Sequence, residues 1–349
     1  MFCTFKRPYY ELLGSFKYTR GRTIMLDSVQ GHYDIQFESI CNSRDFNIIT
    51  SSVGEKYILK KIRMQPQRVL FVHEIKEYLY KNDFMNTDRY ILTKENTPCF
   101  TYRENVFVLS KNIDGEICSF ENHNHVKETS GLLASMHKAS KGFKPSLDCI
   151  PREELGIISL NFKKRLEELK KLKKTANKGK SKFDFMFIQN CDFFIDLAEE
   201  ALYELKDSKY EDIVSVAKKT GCICHHDFTH HNIIFTCKGV YLKNFEYSSI
   251  EIKEYDIANF IRRKMRRCNW DAYEAEKILL QYTKILDISS EEFEVLGIIL
   301  KFPQKFWRIV NRYYNSKKTA FEKNYIQSLD EVIQEAKYHN KFLVDFNTF

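Results

Sequence analysis

The sequence predicts an α+β protein with a small N-terminal lobe built on an antiparallel sheet and a larger, mostly helical C-terminal lobe. Three observations lead to this class. Residues 33–64 alternate polar and apolar side chains in short runs, as half-buried strands do. Residues 66–81 change to the spacing of an amphipathic helix, and after Asp114 that spacing dominates. We therefore expect the lobes to cover residues 1–111 and 112–349.

Three strand-like runs make up the N-terminal sheet. Polar or glycine-containing segments separate them, and Gly54 marks the clearest turn. Such closely spaced runs predict an antiparallel meander. The runs are Asp34–Ile40, Asp45–Thr50 and Tyr57–Ile62.

One main helix and two further strands complete this lobe. The helix, at 66–81, has Pro66 near its start, where a missing backbone N–H breaks no helical hydrogen bond. It carries one apolar stripe, which predicts packing against the sheet. Short apolar runs at Tyr90–Leu92 and Val106–Leu109 then predict two more strands.

Eight runs of helical spacing fill the C-terminal lobe, and a hairpin-like segment at 224–247 interrupts them. The spacing of their apolar residues predicts helices that each bury one face. The predicted helices are Val126–His137, Ile157–Lys174, Asp192–Leu205, Tyr210–Lys219, Tyr255–Arg267, Asp271–Ile285, Ser290–Tyr314 and Lys317–Asn340.

Composition indicates a folded intracellular protein. An apolar fraction of 43% supports a sizeable core, and only 12 Gly and 6 Pro among 349 residues argue against long disordered tracts. Ten scattered cysteines without a CxxC pair favour reduced thiols. We expect no signal peptide and no membrane insertion, because Met1–Arg7 lacks a long apolar segment and no run is long enough to cross a bilayer.

The most informative segment is 224–235, in which Asp227 precedes Asn232 by five residues and an apolar run follows. Kinase-type catalytic loops use this spacing, with the Asp receiving the proton of the attacking hydroxyl and the Asn holding Mg²⁺. Asp227 is therefore the candidate catalytic base. Its alternative is a turn carboxylate that caps local amides. For Asn232, metal binding and a loop hydrogen bond both stay open.

A metal-clamping carboxylate should follow on the next strand, and the chain has Asn244 there. A neutral amide oxygen is a poorer partner for a divalent cation than a carboxylate, because Mg²⁺ is a hard, doubly charged ion. Glu246 stands two residues later and would share a strand face with Asn244. Asn244 is thus a degenerate metal position, and Glu246 is a second candidate ligand.

Lys60 ends a strand-like run and is the candidate lysine for the α- and β-phosphates of a nucleotide. A solvated strand lysine is the alternative, since Lys61 adjoins it. The segment Cys41–Asp45, where a phosphate-covering loop is expected, contains no glycine, although close backbone approach to phosphate normally uses glycine. Arg44 in this segment would either add positive charge or occupy the phosphate site.

Four of the ten histidines cluster around the candidate loop, and five cations lie in 262–267. The histidines do not match a familiar zinc spacing, so loop hydrogen bonding is the expected role. The five cations are read as a solvated surface, with docking of an acidic partner as the alternative. No nucleic-acid motif accompanies this charge, so we expect no nucleic-acid partner. The histidines are His225, His226, His230 and His231.

The chain resembles the aminoglycoside phosphotransferase and choline kinase branch of the protein-kinase-like fold, and within it the spore coat protein S family. The resemblance spans nearly the whole chain. Besides the loop at 224–232 and the Lys60 strand, the segments that carry it are Leu132–Ser140, Ser181–Asp184, Ser208–Tyr210, Tyr255–Arg263, Asn269–Asp271 and Phe302–Lys318.

The resemblance implies a two-lobed kinase-like fold and roles for further residues. Glu77, rather than Glu74, would pair with Lys60, His225 would brace the catalytic loop, and Asp256 would hydrogen-bond to that loop. The implied cofactors are ATP and Mg²⁺ if the site is functional. The family association further implies a spore coat location after synthesis in the mother-cell cytoplasm, with other coat proteins as partners.

Three functions follow from these residues. The favoured one is a spore coat component that acts in coat structure or assembly on a kinase-like fold that has lost metal and ATP binding. The second is an active phosphotransferase that uses ATP and Mg²⁺ on an alcohol group. The third is a pseudokinase that binds a nucleotide without turnover. The neutral amide of Asn244 favours the first function, whereas Asp227, Asn232 and Lys60 support the second.

Overall fold

A computed structural model describes residues 20–43, 46–316 and 322–348 of the chain. These residues form two compact units that alternate along the sequence. The first unit contains the described residues up to Ser119, then 138–152 and 227–249. The second contains 120–137, 153–226 and the described residues from 250 onwards. The predicted lobe boundary after residue 111 stays a prediction.

Eleven α-helices occur in the described residues, and most belong to the C-terminal two-thirds of the chain. They are α1 (Arg20–His32), α2 (Pro66–Lys81), α3 (His123–Ser140), α4 (Ile157–Ala176), α5 (Lys182–Asp207), α6 (Tyr210–Thr220), α7 (Glu254–Met265), α8 (Ala272–Thr283), α9 (Ser290–Lys301), α10 (Gln304–Asn315) and α11 (Glu322–Phe346).

Ten short strands accompany them within the same described residues. They are β1 (Phe37–Asn42), β2 (Asn47–Ser51), β3 (Lys56–Ile62), β4 (Phe100–Tyr102), β5 (Asn105–Lys111), β6 (Glu116–Ile117), β7 (Ile223–Cys224), β8 (Ile233–Thr236), β9 (Gly239–Leu242) and β10 (Ser249–Ile250).

The N-terminal sheet of the first unit has five antiparallel strands in the order β1-β2-β3-β5-β4. Its register places Ile49 opposite Tyr57 and Leu59 opposite Leu109. These side chains are nearly or completely buried and form the core of the sheet. The β2–β3 turn passes through Gly54 at φ +82°, a conformation that glycine adopts without a steric penalty. The predicted antiparallel sheet and larger helical part are confirmed.

A second small sheet in the first unit, β6-β8-β9, presents the candidate loop residues. Strands β8 and β9 form a hairpin in which Ile233 lies opposite Leu242 and Thr236 opposite Gly239. Asn232 immediately precedes this hairpin and Asn244 follows it. The hairpin therefore brings two positions twelve residues apart to the same end of the small sheet.

The second unit is helical, and aromatic side chains fill much of its core. Phe183 of α5 stacks on Tyr313 of α10 at 3.7 Å between ring centroids, and Phe194 stacks on Phe306 at 3.8 Å. Helix α5 begins with a reciprocal capping box, in which the Ser181 side chain accepts from the Asp184 backbone N–H. The stacked rings fix how α5 and α10 pack, because aromatic pairs prefer defined geometries.

Two predicted elements were wrong. The predicted helix Ser290–Tyr314 is two helices, because Phe302 precedes Pro303 and adopts an extended ψ of 126°. A residue before proline is driven out of the helical region by the proline ring. The predicted strand Tyr90–Leu92 is absent among the described strands: Tyr90 forms only an isolated bridge with Ser110, and β4 (Phe100–Tyr102) pairs with β5 instead.

Candidate functional site

Asp227 and Asn232 are directly hydrogen-bonded in the first unit. The Asn232 amide nitrogen donates to the backbone carbonyl and to a carboxylate oxygen of Asp227, both at 2.8 Å. A 3-10 turn at His230–Asn232 shapes this loop and leads into β8. Asn232 is buried and Asp227 is half-buried, so the loop keeps one partly accessible carboxylate.

Asn244 extends this arrangement to Lys60. The Lys60 ammonium donates to Asn244 Oδ1 at 3.0 Å, and Asn244 Nδ2 donates to Asn232 Oδ1 at 2.7 Å. An ammonium group only donates, so it requires the amide oxygen of Asn244 and leaves that residue's nitrogen to Asn232. Because the Asn232 oxygen accepts from Asn244, the Asn232 nitrogen is left to donate to Asp227. One polarised chain of hydrogen bonds thus connects a cation to a carboxylate.

Glu246 also contacts Lys60, with 2.7 Å between Nζ and Oε1. Burial would raise the pKa of Glu246, but the charges of Lys60 and Lys76 outweigh burial and hold the pKa below its usual value. The sequence predicted one strand face for Asn244 and Glu246, and this was wrong. Asn244 adopts a left-handed backbone (φ 67°) and a 3-10 turn at Phe245–Tyr247 carries Glu246.

The expected ion pair between Lys60 and Glu77 is not formed. Glu77 instead accepts two hydrogen bonds from Arg89, at 2.8 Å from Nε and 2.5 Å from Nη2. Glu74 accepts from the backbone N–H of Ser146 at 3.0 Å. The carboxylate that neutralises Lys60 therefore comes from position 246 of the chain rather than from α2.

Lys76 and Asp88 form a part of the site that the sequence interpretation missed. The Lys76 ammonium, fully buried on α2, lies 2.9 Å from the Asp88 carboxylate and donates to the Asp88 carbonyl at 2.8 Å. The other Asp88 oxygen accepts from the Asn244 backbone N–H at 3.1 Å. A signal existed in the sequence, because Lys76 stands in the apolar stripe, four residues after Val72.

The residues at this site do not fit a magnesium–nucleotide complex as they are arranged. Both amide oxygens that would face the metal, on Asn232 and Asn244, already accept hydrogen bonds. The Glu246 carboxylate is committed to Lys60. The Asp88 carboxylate is committed to Lys76 and the Asn244 backbone N–H. Mg²⁺ requires several oxygen ligands in a near-octahedral arrangement, and an ammonium group here competes for the same oxygens.

The loop before Asp227 is supported from within the second unit. Asp256 accepts hydrogen bonds from the backbone N–H groups of His225 (2.5 Å) and His226 (3.0 Å). His137 lies 3.6 Å from the same carboxylate and hydrogen-bonds to the Tyr282 hydroxyl at 2.7 Å. Burial alone would raise the pKa of Asp256, but the hydrogen bond and charge of His137 hold it lower. Asp256 therefore fixes two successive backbone amides.

One group of three metal-ligating side chains occurs in the described part of the chain: His137, Cys224 and Asp256, whose ligand atoms lie within 4.8 Å of one another. Burial raises the pKa of Cys224 well above its usual value, so the thiol stays protonated and donates to the Ile252 carbonyl at 3.1 Å. Asp256 already accepts two backbone N–H groups. These commitments favour a structural support for the loop over a metal site.

The two remaining sequence features have separate outcomes. In the Cys41–Asp45 segment, Arg44 and Asp45 lie outside the described residues. The cluster at 262–267 is not a solvated surface as a whole, which corrects that prediction. Arg262 and Lys264 are buried, and Lys264 pairs with Glu274 at 2.9 Å.

Sequence comparison identifies the family. Residues 26–346 match the model of the family described as "Spore coat putative kinase YutH". The chain belongs to this family. Among its relatives, Spore coat protein S of Bacillus subtilis (strain 168) is 24% identical over 289 residues, which cover 82% of each chain. Endospore coat-associated protein YutH of the same strain is 23% identical over 282 residues, covering 78% of this chain and 77% of that protein.

The chain shares its fold with aminoglycoside phosphotransferases of known structure. The enzyme from Alicyclobacillus acidocaldarius superimposes with a TM-score of 0.80 at 20% identity, covering 97% of this chain and 98% of the other. Spectinomycin phosphotransferase APH(9)-Ia gives a TM-score of 0.58 at 13% identity, covering 91% and 98%. The chain therefore has a protein-kinase-like fold. Its described helices include none that could span a membrane.

Proposed function

We propose that this protein is a spore coat component, made in the mother-cell cytoplasm, that acts in coat structure or assembly and does not transfer phosphate. The observation that carries the proposal is the occupation of the kinase-type site by its own side chains. Lys60 is held by Asn244 and Glu246 at 3.0 and 2.7 Å. These bonds use two of the three ammonium donors, so a nucleotide would have to compete with Asn244 and Glu246 for this lysine.

The buried carboxylate of Glu246 makes the loss of Lys60 energetically unfavourable. Glu246 is 8% exposed, and removing its cation would leave an uncompensated charge in a poorly solvated environment. Mg²⁺ could supply the missing positive charge only if Asn244 offered a carboxylate or released its oxygen from Lys60. The network therefore resists the rearrangement that magnesium–nucleotide binding requires.

A second candidate function is nucleotide binding without turnover, or phosphate transfer to an alcohol. The hydrogen-bonded Asp227–Asn232 pair favours it, because the loop keeps the residues and the proximity that such chemistry uses. In this case the Lys60–Glu246 pair would open when a nucleotide binds.

A thermal unfolding titration with ATP, with and without Mg²⁺, separates these candidates. A ligand present at one hundred times its dissociation constant stabilises a protein by about 2.7 kcal/mol. We expect millimolar ATP to leave the melting temperature unchanged in both conditions. A magnesium-dependent rise, followed by detection of labelled phosphate on an acceptor, would support the second candidate and refute ours.

The variant Asn244→Asp tests the cause of the defect. Aspartate tolerates the left-handed backbone at this position and adds the missing carboxylate. We expect magnesium-dependent stabilisation by ATP to appear in this variant. Asn340→Asp is the matched control, because Asn340 is exposed on α11 and the same charge change there should give no nucleotide response. Equal responses of both variants would contradict the prediction.

The location of the protein tests the coat assignment independently. Fractionation of purified spores should recover the chain, detected by a specific antibody, in the extracted coat layers. Recovery only in the spore core or in vegetative cells would refute a coat role, whatever the nucleotide titration shows.

A further inference from the structure

A small cavity in the second unit lies where the turn after α7 meets the start of α10 and the middle of α11. Its volume is about 40 Å³, enough for about three water molecules. That is also the scale of a small oxyanion. The polar side chains that line it are Arg262, Arg266, Trp270, Gln304, Lys305, Glu335 and His339.

Positive charge in the cavity exceeds negative charge. Glu335 is its one acidic lining residue, and Lys305 already neutralises it at 2.7 Å. Within the part of the chain that the structure describes, no carboxylate lies within 4 Å of the guanidinium groups of Arg262 or Arg266. Arg262 caps the end of α9 by donating to the carbonyls of Ile299 and Phe302. Two arginine charges thus remain without an ion-pair partner.

Two buried donors have no acceptor among the described residues. Arg266 Nε is buried and forms no hydrogen bond. Trp270 is 8% exposed, and its indole N–H also lacks a partner. A buried donor without an acceptor costs about 1–3 kcal/mol, so such groups normally have a bound partner.

The start of α10 adds further donors. Pro303 occupies the N-cap position and no side chain caps the helix, whose first residues Gln304 and Lys305 line the cavity. The first backbone N–H groups of a helix lack partners within it and carry a partial positive charge. Here the Gln304 N–H donates to the Phe302 carbonyl at 2.8 Å, so the N–H groups of Lys305 and Phe306 are those left for an anion. An uncapped helix start therefore favours an anion in this cavity.

The groups around the cavity increase this preference. Burial, followed by repulsion from Arg308, lowers the pKa of Arg266 below its usual value. Arg165 of α4 donates to the Gln304 side chain at 2.7 Å and adds another cation. The nearby carboxylate of Glu168 is engaged by Trp307 Nε1 at 2.7 Å. The arginines thus retain mutual repulsion that a bound anion would relieve.

His339 does not change this balance. Its Nε2 is 3.1 Å from the Leu300 carbonyl, and its ring lies 4.2 Å from that of Trp270. Burial lowers the pKa of His339 to about 4, so the ring is neutral at pH 7. It neither adds a charge nor offers a carboxylate.

We propose that this cavity binds a phosphate-class oxyanion through Arg266, the Trp270 N–H and the start of α10. A tetrahedral oxyanion offers several acceptors to these donors and matches the volume of the cavity. A cationic amine would be repelled by the same groups. The inference rests on the second unit alone and does not depend on the state of the Lys60 site.

Thermal unfolding and tryptophan fluorescence of the full chain test the proposal. Inorganic phosphate is titrated in a phosphate-free buffer against sodium chloride of equal ionic strength, and glycerol phosphate is titrated in parallel. We expect phosphate, but not chloride, to raise the melting temperature and to change the fluorescence. A response to inorganic phosphate alone would indicate a site for the free ion. A response to both compounds would indicate a site that also accepts a phosphoryl group. Equal effects of phosphate and chloride would overturn the proposal.

Variants locate the response in the cavity. Arg266→Gln should weaken phosphate binding roughly tenfold or more, since it removes a charge-assisted hydrogen bond. Arg312→Gln is the matched control, because Arg312 is exposed on α10 and does not line the cavity. Trp270→Phe keeps an aromatic ring but removes the indole N–H and the fluorophore, so it is followed by thermal unfolding, and the rise in melting temperature that phosphate produces should shrink. Equal weakening in Arg266→Gln and Arg312→Gln would show only general charge screening and would refute the site.

Discussion

At the scale of single residues, Lys60 determines the state of the candidate site. The Lys60 side chain is 30% exposed, whereas the side chain of Glu246, which it contacts, is 9% exposed. The two partners therefore differ in what their removal leaves behind. Loss of the lysine leaves the buried Glu246 carboxylate without a counter-ion, whereas loss of the glutamate leaves an ammonium group that can still reach water.

This asymmetry gives a stability prediction. Lys60→Met should lower the free energy of unfolding by about 2 kcal/mol, and Glu246→Gln by about half as much, because the amide can still accept from Lys60. Urea unfolding at pH 7 measures both values. Lys61→Met is the matched control, since Lys61 is exposed on the same strand and should change stability by less than about 0.5 kcal/mol. Equal losses in the two lysine variants would contradict the prediction.

The sequence predicted most members of this site, but not Lys76 and Asp88 and not the connections between the members. The spacing of Asp227 and Asn232 and the amide at position 244 were visible in the sequence. The partner of Lys60 was not, because a long side chain on one strand can reach several carboxylates and only the folded chain selects among them. The left-handed backbone of Asn244 turned Glu246 towards Lys60, and no periodicity predicts that turn.

At the scale of secondary-structure elements, the capped start of α9 gives a stability prediction. Ser289 caps α9: its hydroxyl accepts from the Glu292 backbone N–H at 3.2 Å. The Glu292 carboxylate accepts from the Ser289 backbone N–H at 2.8 Å. Ser289→Ala should therefore cost about 1 kcal/mol of unfolding free energy. Ser290→Ala is the neighbouring control, because its hydroxyl contacts only the exposed Glu291. Both free energies of unfolding are measured with denaturant. A larger loss in Ser290→Ala than in Ser289→Ala would refute the capping role.

The end of the same helix predicts a pH dependence. His339 of α11 bonds to the Leu300 carbonyl, and burial lowers its pKa to about 4, below an unfolded value near 6.5. The unfolded chain then binds a proton that the folded chain does not, so stability falls as pH drops from 6.5 towards 4. The contribution lost at pH 5 is about 2 kcal/mol.

The variant His339→Gln isolates this contribution from other titrating groups. Glutamine can still donate to the carbonyl but does not titrate. Unfolding free energies measured at pH 7.5 and pH 5 should differ by about 2 kcal/mol less in the variant than in the unmodified protein. An unchanged difference would show that His339 carries no pKa shift.

Helix prediction succeeded where local rules acted alone. Pro66–Lys81 matches its predicted bounds, since a proline start and an apolar stripe are both local features. The early start of α5 at Lys182 was missed, although the Ser181–Asp184 capping pattern was present in the sequence. Strand β4 was also missed, because three residues carry too little periodicity and β4 is defined by its pairing with β5.

At the scale of the whole molecule, the first unit is assembled from separated segments. Strand β6, in the first segment of this unit, pairs with β8 of its last segment. The Leu242 backbone N–H donates to the Asn86 carbonyl at 2.9 Å. A fragment ending at Ser119 contains all five strands of the N-terminal sheet, but it lacks the partner of β6 and the segment 138–152, whose Phe143 packs against Phe71 of α2.

We therefore predict that a fragment of residues 1–119 does not fold on its own. Circular dichroism should show no cooperative thermal transition, and limited proteolysis should degrade the fragment under conditions in which the full chain survives. Adding residues 120–249 to the fragment supplies the missing segments and is the informative comparison. A cooperative transition in the short fragment would refute the interdependence of the segments.

The separated segments also set the timing of folding during translation. About 130 residues lie between Ser119 and the end of the last segment at Ser249. At about 5–20 residues per second, the ribosome needs roughly 7–26 seconds to supply them. Throughout that interval β6 lacks β8, and Lys60 lacks Asn244 and Glu246, so these parts of the first unit can form only late in translation.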